Sequence, residues 1–575
     1  MRHISRRFSV LFLILLCFSA TAIIAQDKAA RIDELMKLHN QYGQFNGSVL
    51  VAENGRVIYK KGFGMANMEW NVPNEPDTKF RIASVTKQFT AALILQLVEQ
   101  GRIKLDGKIT DYLPDYRKDT GDRVTIHHLL NHTSGISSYT DVPGFFQNDS
   151  RDPYSVADFT KKYASGDLEF EPGSKFAYNN SAYYLLGAII EKVTGKPYAQ
   201  VMQENIFMPA GMKNSGYDTS APLIAKRASG YTKTGKGYVN AAYLDMSLPY
   251  AAGSLYSTVE DLYLWDQALY GEKILSAKSK ELMFKPGLEN YGYGVGAADI
   301  ALSDKKLSTP TIRHSGGING FSSNLVRFVR DKHLIVLLDN TSQGNNQGRM
   351  INAIANILYG QQFETPKRSI GETIFSTIEE RGVDAGIKQY RDLKAADSKE
   401  YDFAEAELNT TGYQLLQSGK IKEAGEIFKL NVEMFPNAPN PHDSLGEYYA
   451  AAGQKELAVK NYKRALELDP KFPSAIAALK LLEAPTVNVD PKILTNYVGQ
   501  YQIAPALILT VTTENGKLFG QPTGQPLREL VPLSESRFSI TAVRAEITFV
   551  KDATGKVTNL VLHQNGRETP AKRLP

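Results

Sequence analysis

The chain has 575 residues, 42% hydrophobic and 22% charged, the balance of an ordinary globular protein and not of a disordered or fibrous one. That length exceeds what one core holds, so about two to four domains are expected. The formal charge of +5 drops to +2 without Arg2, Arg6 and Arg7, too little to argue for a nucleic-acid partner.

In chain order, a basic stretch Met1–Arg7 precedes an apolar run Phe8–Ala25 and the polar Gln26-Asp27-Lys28. This reads as a secretory signal peptide over residues 1–25, with an uncleaved membrane anchor as the competing reading. It implies bacterial-type export, periplasmic or secreted. The one cysteine, Cys17, lies in this run after Leu16, where a lipid-attachment signal wants a small residue. The mature chain would then have no disulfide, thiolate nucleophile or cysteine-bound metal.

Residues 27–362 mix strands and helices. Gly47–Tyr59 reads as a hairpin around Asn54-Gly55. Ser84-Val-Thr-Lys87 opens an apolar helix that starts at Ser84 and ends at Gly101. Ser257-Thr-Val-Glu260 is a capping-box pattern before another helix. Ser322–Arg330 and His333–Asp339 read as strands joined by Asp331-Lys332. The expected fold is α+β: an antiparallel sheet built from both ends of the segment, flanked by helices.

Residues 370–484 read as helix only. Gly412 and Gly446, Gly419 and Gly453, Ala424 and Ala458, and Pro436 and Pro470 are each separated by the 34-residue period of tetratricopeptide repeats. A degenerate helix pair over Glu372–Leu393 is expected before them. The segment reads either as a groove for a protein partner or as a spacer packed on its neighbours. After a linker at Pro485, residues 486–575 return to strands, with turns at Asn515-Gly516, Ala553–Lys556 and Asn565-Gly566, as a small antiparallel barrel or sandwich.

Ser84 and Lys87 share one helix face, so the amine can reach the hydroxyl it would deprotonate. A second Ser-x-x-Lys, Ser303-Asp-Lys-Lys306, sits in a charged stretch and reads as a surface turn. Further on lie Pro172-Gly-Ser-Lys-Phe-Ala-Tyr178-Asn-Asn180 and Ile312-Arg-His314-Ser-Gly316-Gly317. In this order the three segments resemble the serine β-lactamase and penicillin-binding-protein superfamily, in the branch with class C β-lactamases, DD-carboxypeptidases, D-aminopeptidases and esterases. Leu129–Ile136 and Ala252–Leu262 add to the likeness, which spans roughly residues 30–360. The resemblance implies a sheet flanked by helices with an all-helical cluster beside it.

It also implies roles. Ser84 would be the acylated nucleophile and Lys87 would share or relay its proton. Tyr178 would be general base and acid, if the field of Lys87 favours its phenolate. Asn180 would hold Lys87 and bind a substrate amide, and the backbone N–H groups of Ser84 and Gly317 would form the oxyanion hole. Whether Lys87 or Tyr178 takes the first proton stays open. His314 and Gly316 belong to the third motif, where β-lactamases hold a lysine that binds a substrate carboxylate. A histidine there is only partly charged near neutral pH, which favours an esterase or a D-amino-acid peptidase over a β-lactamase. The literal Lys233-Thr234-Gly235 reads as an exposed hairpin turn, and Tyr238-Val-Asn240 as strand. His132 reads as a loop-ordering hydrogen-bonder.

The expected function is an exported serine hydrolase acting on esters or D-amino-acid peptides or amides. The alternatives are a weak β-lactamase and an inactive scaffold or sensor that uses the repeats. No metal-ligand spacing is present and no cofactor is implied. The absence of a Gly-x-Ser-x-Gly elbow argues against an α/β-hydrolase.

Overall fold

Asn54 and Gly55 both adopt positive φ (52° and 74°), as a two-residue hairpin turn with the twist of its strands requires. They fold β1 (Gly47–Glu53) against β2 (Arg56–Phe63). The computed structural model describes residues 27–574 apart from 143, 305–307, 343, 484–486, 505–506, 526, 541–544 and 565–566. The expected signal peptide, the Pro485 linker position, Lys306 and the Asn565-Gly566 turn thus lie outside the described residues.

Four later strands, β3 (Gly296–Ala301), β4 (Ser308–Ile318), β5 (Phe321–Phe328) and β6 (His333–Asp339), complete an antiparallel sheet in the order β3-β4-β5-β6-β1-β2. Gly47 pairs with Asp339, so the two ends of the segment meet in mid-sheet, as expected from the sequence. Alternate side chains of β1 and β6 enter different cores. Leu50, Leu334, Val336 and Leu338 pack with α1 (Thr86–Glu99), α2 (Asn180–Thr194) and α3 (Val259–Ala268). Val49, Val51, Ile335 and Leu337 pack with the opening helix, residues 27–41, and with α4 (Gly344–Leu358). A strand covered on both faces reads as a continuous apolar run, and all seven residues of β6 are buried. The opening helix is tied down where Lys28 Nζ donates to Leu358 O at 2.7 Å.

Small helices such as Ile126–Leu130, Val156–Tyr163 and Tyr198–Met202 surround α2 and form the helical cluster beside the sheet. The cap of α3 is Thr258, whose side chain accepts from Asp261 N–H, and not Ser257; Glu260 instead pairs with Lys60. Among the described residues no helix is long and apolar enough to cross a membrane.

The chain divides into two units, one ending at Pro366 and one starting at Lys367. In the second unit Glu405–Gln417 pairs with Ile421–Met434, and Pro439–Ala451 with Lys455–Leu468, equivalent helices starting 34 residues apart. Gly412 faces Phe428 and Gly446 faces Tyr462 so closely that a Cβ there would meet the ring at 2.5 and 2.9 Å. The segment is not helix only: Arg368–Ser369 and Tyr401–Asp402 form a short parallel bridge. The eight strands from Gly499–Ala504 to Arg567–Arg573 close into an antiparallel barrel. Its interior is filled by Tyr497, Tyr501, Phe538 and Phe549, with the Tyr497 and Phe549 rings stacked at 4.3 Å.

Candidate active site

Ser84 lies in one 3₁₀ turn, Ala83–Val85, and α1 begins at Thr86, two residues after the expected start. Ala83 has φ +48°, the left-handed region that non-glycine residues rarely occupy. In this turn Val85 N–H donates to Ile82 O at 3.1 Å and Thr86 N–H donates to Ala83 O. The Ser84 N–H takes no part in these bonds. Two strands lock the turn in place. Ser323 Oγ of β5 donates to Ile82 O at 2.7 Å. Gly316 of β4 lies so near that a Cβ would meet Ile82 O at 2.4 Å. A Cβ on neighbouring Gly317 would meet nothing within 4 Å.

The helix carries Lys87 inward to full burial. Its Nζ lies 3.0 Å from Ser84 Oγ, 2.8 Å from Asn180 Oδ1 and 2.9 Å from Ala252 O. None of these partners is a carboxylate. Burial therefore holds the Lys87 amine well below its ordinary range. A neutral amine has two N–H groups and one lone pair. The two pure acceptors, Asn180 Oδ1 and Ala252 O, take the N–H groups, and the lone pair meets the Ser84 hydroxyl.

Tyr178 borders the same space, with its ring centroid 4.8 Å from Lys87 Nζ and its hydroxyl facing the Ser84 side chain. The residue is 40% exposed at the cleft, yet the crowding around its hydroxyl pushes the phenol above the ordinary value, while the Ser84 contact pulls the other way. The expected drift of Tyr178 towards phenolate is absent: both partners of Ser84 are pushed towards their neutral forms. Asn180 opens α2, with its Nδ2 donating to Thr140 Oγ1 at 3.2 Å, which orients Oδ1 towards Lys87.

His314 departs from its expected role. It is buried, its Nδ1 donates to Ser315 O at 2.6 Å, and its Nε2 accepts from the Tyr291 hydroxyl at 2.8 Å. Burial pushes its pKa down to about 3, although the Ser315 bond pulls upward. It is neutral at ordinary pH and offers no cation to a substrate carboxylate. Lys233 lies in an exposed hairpin with its Nζ donating to Gly43 O, and Tyr238–Asn240 is strand. His132, by contrast, is fully buried beside Tyr178.

Sequence reasoning missed the Ala252 carbonyl, although it flagged the segment that contains it, because a backbone acceptor leaves no residue signature. It also missed Thr140 and Tyr291, which carry no motif. The cleft at Ser84 has a volume of about 610 Å³ and walls that include Tyr139, Phe145, Leu244, Leu248 and Phe321. Among the described residues no acidic, basic or imidazole side chain lines it. A second cavity of about 550 Å³ adjoins it at Ser315 and Asn324; it is lined by Tyr178, His314 and Arg313. Among the described residues Arg313 has no ion-pair partner, and it is the only formal charge on either wall.

A β-lactamase family model matches residues 29–359, and a model for a domain of unknown function (DUF3471) matches residues 483–573. Penicillin-binding protein 4* of Bacillus subtilis (strain 168) is 27% identical over 572 residues, covering 95% of this chain and 99% of its own. Esterase EstB of Burkholderia gladioli is 34% identical over 217 residues, covering 36% of this chain and 55% of its own. Among solved structures, the D-amino acid amidase of Ochrobactrum anthropi SV3 matches with a TM-score of 0.50 and 26% identity, over 58% of this chain and 99% of its own. The first family model alone spans more than half of the sequence, and the chain belongs to the β-lactamase family of serine hydrolases.

Proposed function

We propose that this protein is an exported hydrolase that cleaves esters or D-amino-acid amides and peptides through an acyl-enzyme on Ser84. The observation that carries the reading is the partner set of Lys87: two acceptors, one hydroxyl and no carboxylate. The neutral amine takes the Ser84 proton as Oγ attacks the substrate carbonyl. The backbone N–H groups of Ser84 and Gly317 receive the oxyanion. Tyr178 gives its proton to the leaving group and regains one from Lys87, which resets both groups for attack by water on the acyl-enzyme.

The uncharged cleft, with mixed apolar and neutral polar walls, suits an uncharged acyl group. Arg313, on the Tyr178 side, suits a leaving group with a negative charge. A neutral His314 weighs against efficient β-lactam hydrolysis. The names of the esterase and of the D-amino acid amidase fit this range of substrates. Export rests on the pattern of residues 1–25, and a partner for the repeats stays a proposal resting on their period.

The test is labelling with a fluorophosphonate probe, alongside turnover of matched nitrophenyl esters and D-alanyl amides. Labelling and turnover should both vanish in Ser84→Ala. Labelling that survives the substitution would move the nucleophile elsewhere, and no turnover of either substrate by the intact protein would end the hydrolase reading.

A further inference from the structure

His132 touches neither Ser84 nor Lys87, yet it brackets Tyr178 on the backbone. Its carbonyl oxygen accepts from Ala177 N–H at 2.9 Å, and its Nδ1 accepts from Asn179 N–H at 3.1 Å. The residues on either side of Tyr178 are thus both held by one residue, whose ring lies 4.4 Å from the Tyr178 ring. The double grip depends on the backbone of His132, which has φ +60°. An ordinary backbone would not turn the carbonyl and the ring towards the same segment.

The choice of histidine needs explaining. With Nδ1 accepting, the ring proton sits on Nε2. That atom is buried without a hydrogen-bond partner among the described residues, in a nest of Tyr178, Tyr183, Tyr291 and Phe176 rings. A buried donor left unpaired is costly, so packing alone would favour phenylalanine here. Only the Nδ1 acceptor repays that cost. Burial holds His132 far below the ordinary histidine range, so Nδ1 keeps its lone pair at any working pH. Neighbouring bonds extend the cradle: Ser138 Oγ accepts from Asn180 N–H at 3.1 Å, and Asn179 Nδ2 donates to Ile136 O.

We infer that His132 is the positioning residue that aims the Tyr178 hydroxyl at the leaving group. This rests on the reading of Tyr178 as the acid that protonates that group. Its signature is a dependence on leaving-group quality. A nitrophenolate departs without a proton, whereas an alkoxide or amide does not.

The experiment compares kcat/KM for a nitrophenyl ester and an alkyl ester of one acyl group, in the full chain. Tyr178→Phe should raise the ratio of the two by about 100-fold, within the range of general-acid catalysis. His132→Phe, which keeps a ring but loses the acceptor, should raise it at least about tenfold by misaiming the same group. His132→Asn tolerates a positive φ and places an oxygen where Nδ1 was. It should stay within about threefold of the wild-type ratio. A wild-type ratio in His132→Phe, or an equal rise in His132→Asn, would overturn the inference. If His132→Phe does not fold, His132→Asn decides alone, with a raised ratio overturning the inference and an unchanged one supporting it. A Tyr178→Phe ratio that does not move would instead sink the reading of Tyr178 as the acid.

Discussion

Lys87 and Arg327 are two cations of the same unit, both withdrawn from water, and they differ in what meets them. Arg327 is 1% exposed and its Nε donates to Asp266 Oδ1 at 2.6 Å. Burial pushes the Asp266 carboxyl up and Arg327 pulls it back down, as in an ion pair that fastens β5 to α3. Lys87 is as deeply buried but meets only neutral oxygens. Guanidinium keeps its proton under almost any conditions, whereas a desolvated amine gives it up. Equal burial thus makes one cation a structural tie and leaves the other with a lone pair, as the proposed base role requires. The partner decides which.

The largest effect should come from Lys87→Met, a loss of more than about 1,000-fold in kcat/KM. Its melting temperature should shift by only about 2 °C, because the removed desolvation cost offsets two orphaned oxygens. The pH dependence has a definite sign. Lys87 titrates in the folded state below its ordinary 10.5, so between those values the unfolded chain binds more protons and stability rises with pH. Melting curves across that window should show a shallower rise in Lys87→Met. In the active enzyme kcat/KM should fall as pH drops through the lowered pKa, since an ammonium cannot accept the Ser84 proton. A rate flat into the acid range would break the contrast with Arg327.

Asn180→Asp makes the two sites alike by giving Lys87 a carboxylate. We expect kcat/KM at neutral pH to fall about 10- to 100-fold, with its acid limb displaced to higher pH as the ammonium is stabilised. A pH–rate profile identical to wild type would show that the neutrality of Asn180 is immaterial. Arg327→Met should do the opposite of Lys87→Met. Stranding Asp266 costs about 3–5 kcal/mol, a fall of about 5–10 °C in melting temperature. Activity of the folded fraction, assayed well below the transition, should stay within about twofold, since surviving catalysis needs only the groups at Ser84. Lys233→Ala is the smallest case. A half-buried hairpin lysine that donates to a backbone carbonyl, remote from Ser84 in the fold's pairing, should change activity by less than about twofold and melting by about 2 °C or less.

The parts legible in the sequence were those set by near neighbours. Asn54-Gly55 announces its hairpin because few other residues accept its backbone, and Ser84-x-x-Lys87 announces its helix face by spacing. What escaped depends on distant chain. The neutrality of Lys87 comes from burial, and the Ala252 carbonyl that takes one of its N–H groups lies 165 positions away. His314 suggested a cation because nothing in its segment reveals that Tyr291 seals it from solvent. The start of α1 differs from the expected one because a left-handed alanine at Ala83 goes against residue preference, and distant chain, β4, β5 and the Leu255 carbonyl among it, holds the turn there. The barrel was easier to read, since its turns carry their own signals, but closure is a matter of the first and last strands meeting.

The bond from Lys28 to Leu358 means that the start of the helix over residues 27–41 and the end of α4 lie side by side. Such a unit can be rewired as a circular permutant. A short linker would join its old ends near that bond, and new ends could open in the exposed segment at residues 220–223, without crossing a strand of the sheet. For an engineer the seam is also a mounting point, where a reporter or capture module could be fused on helices that pack on the other face of the sheet from α1.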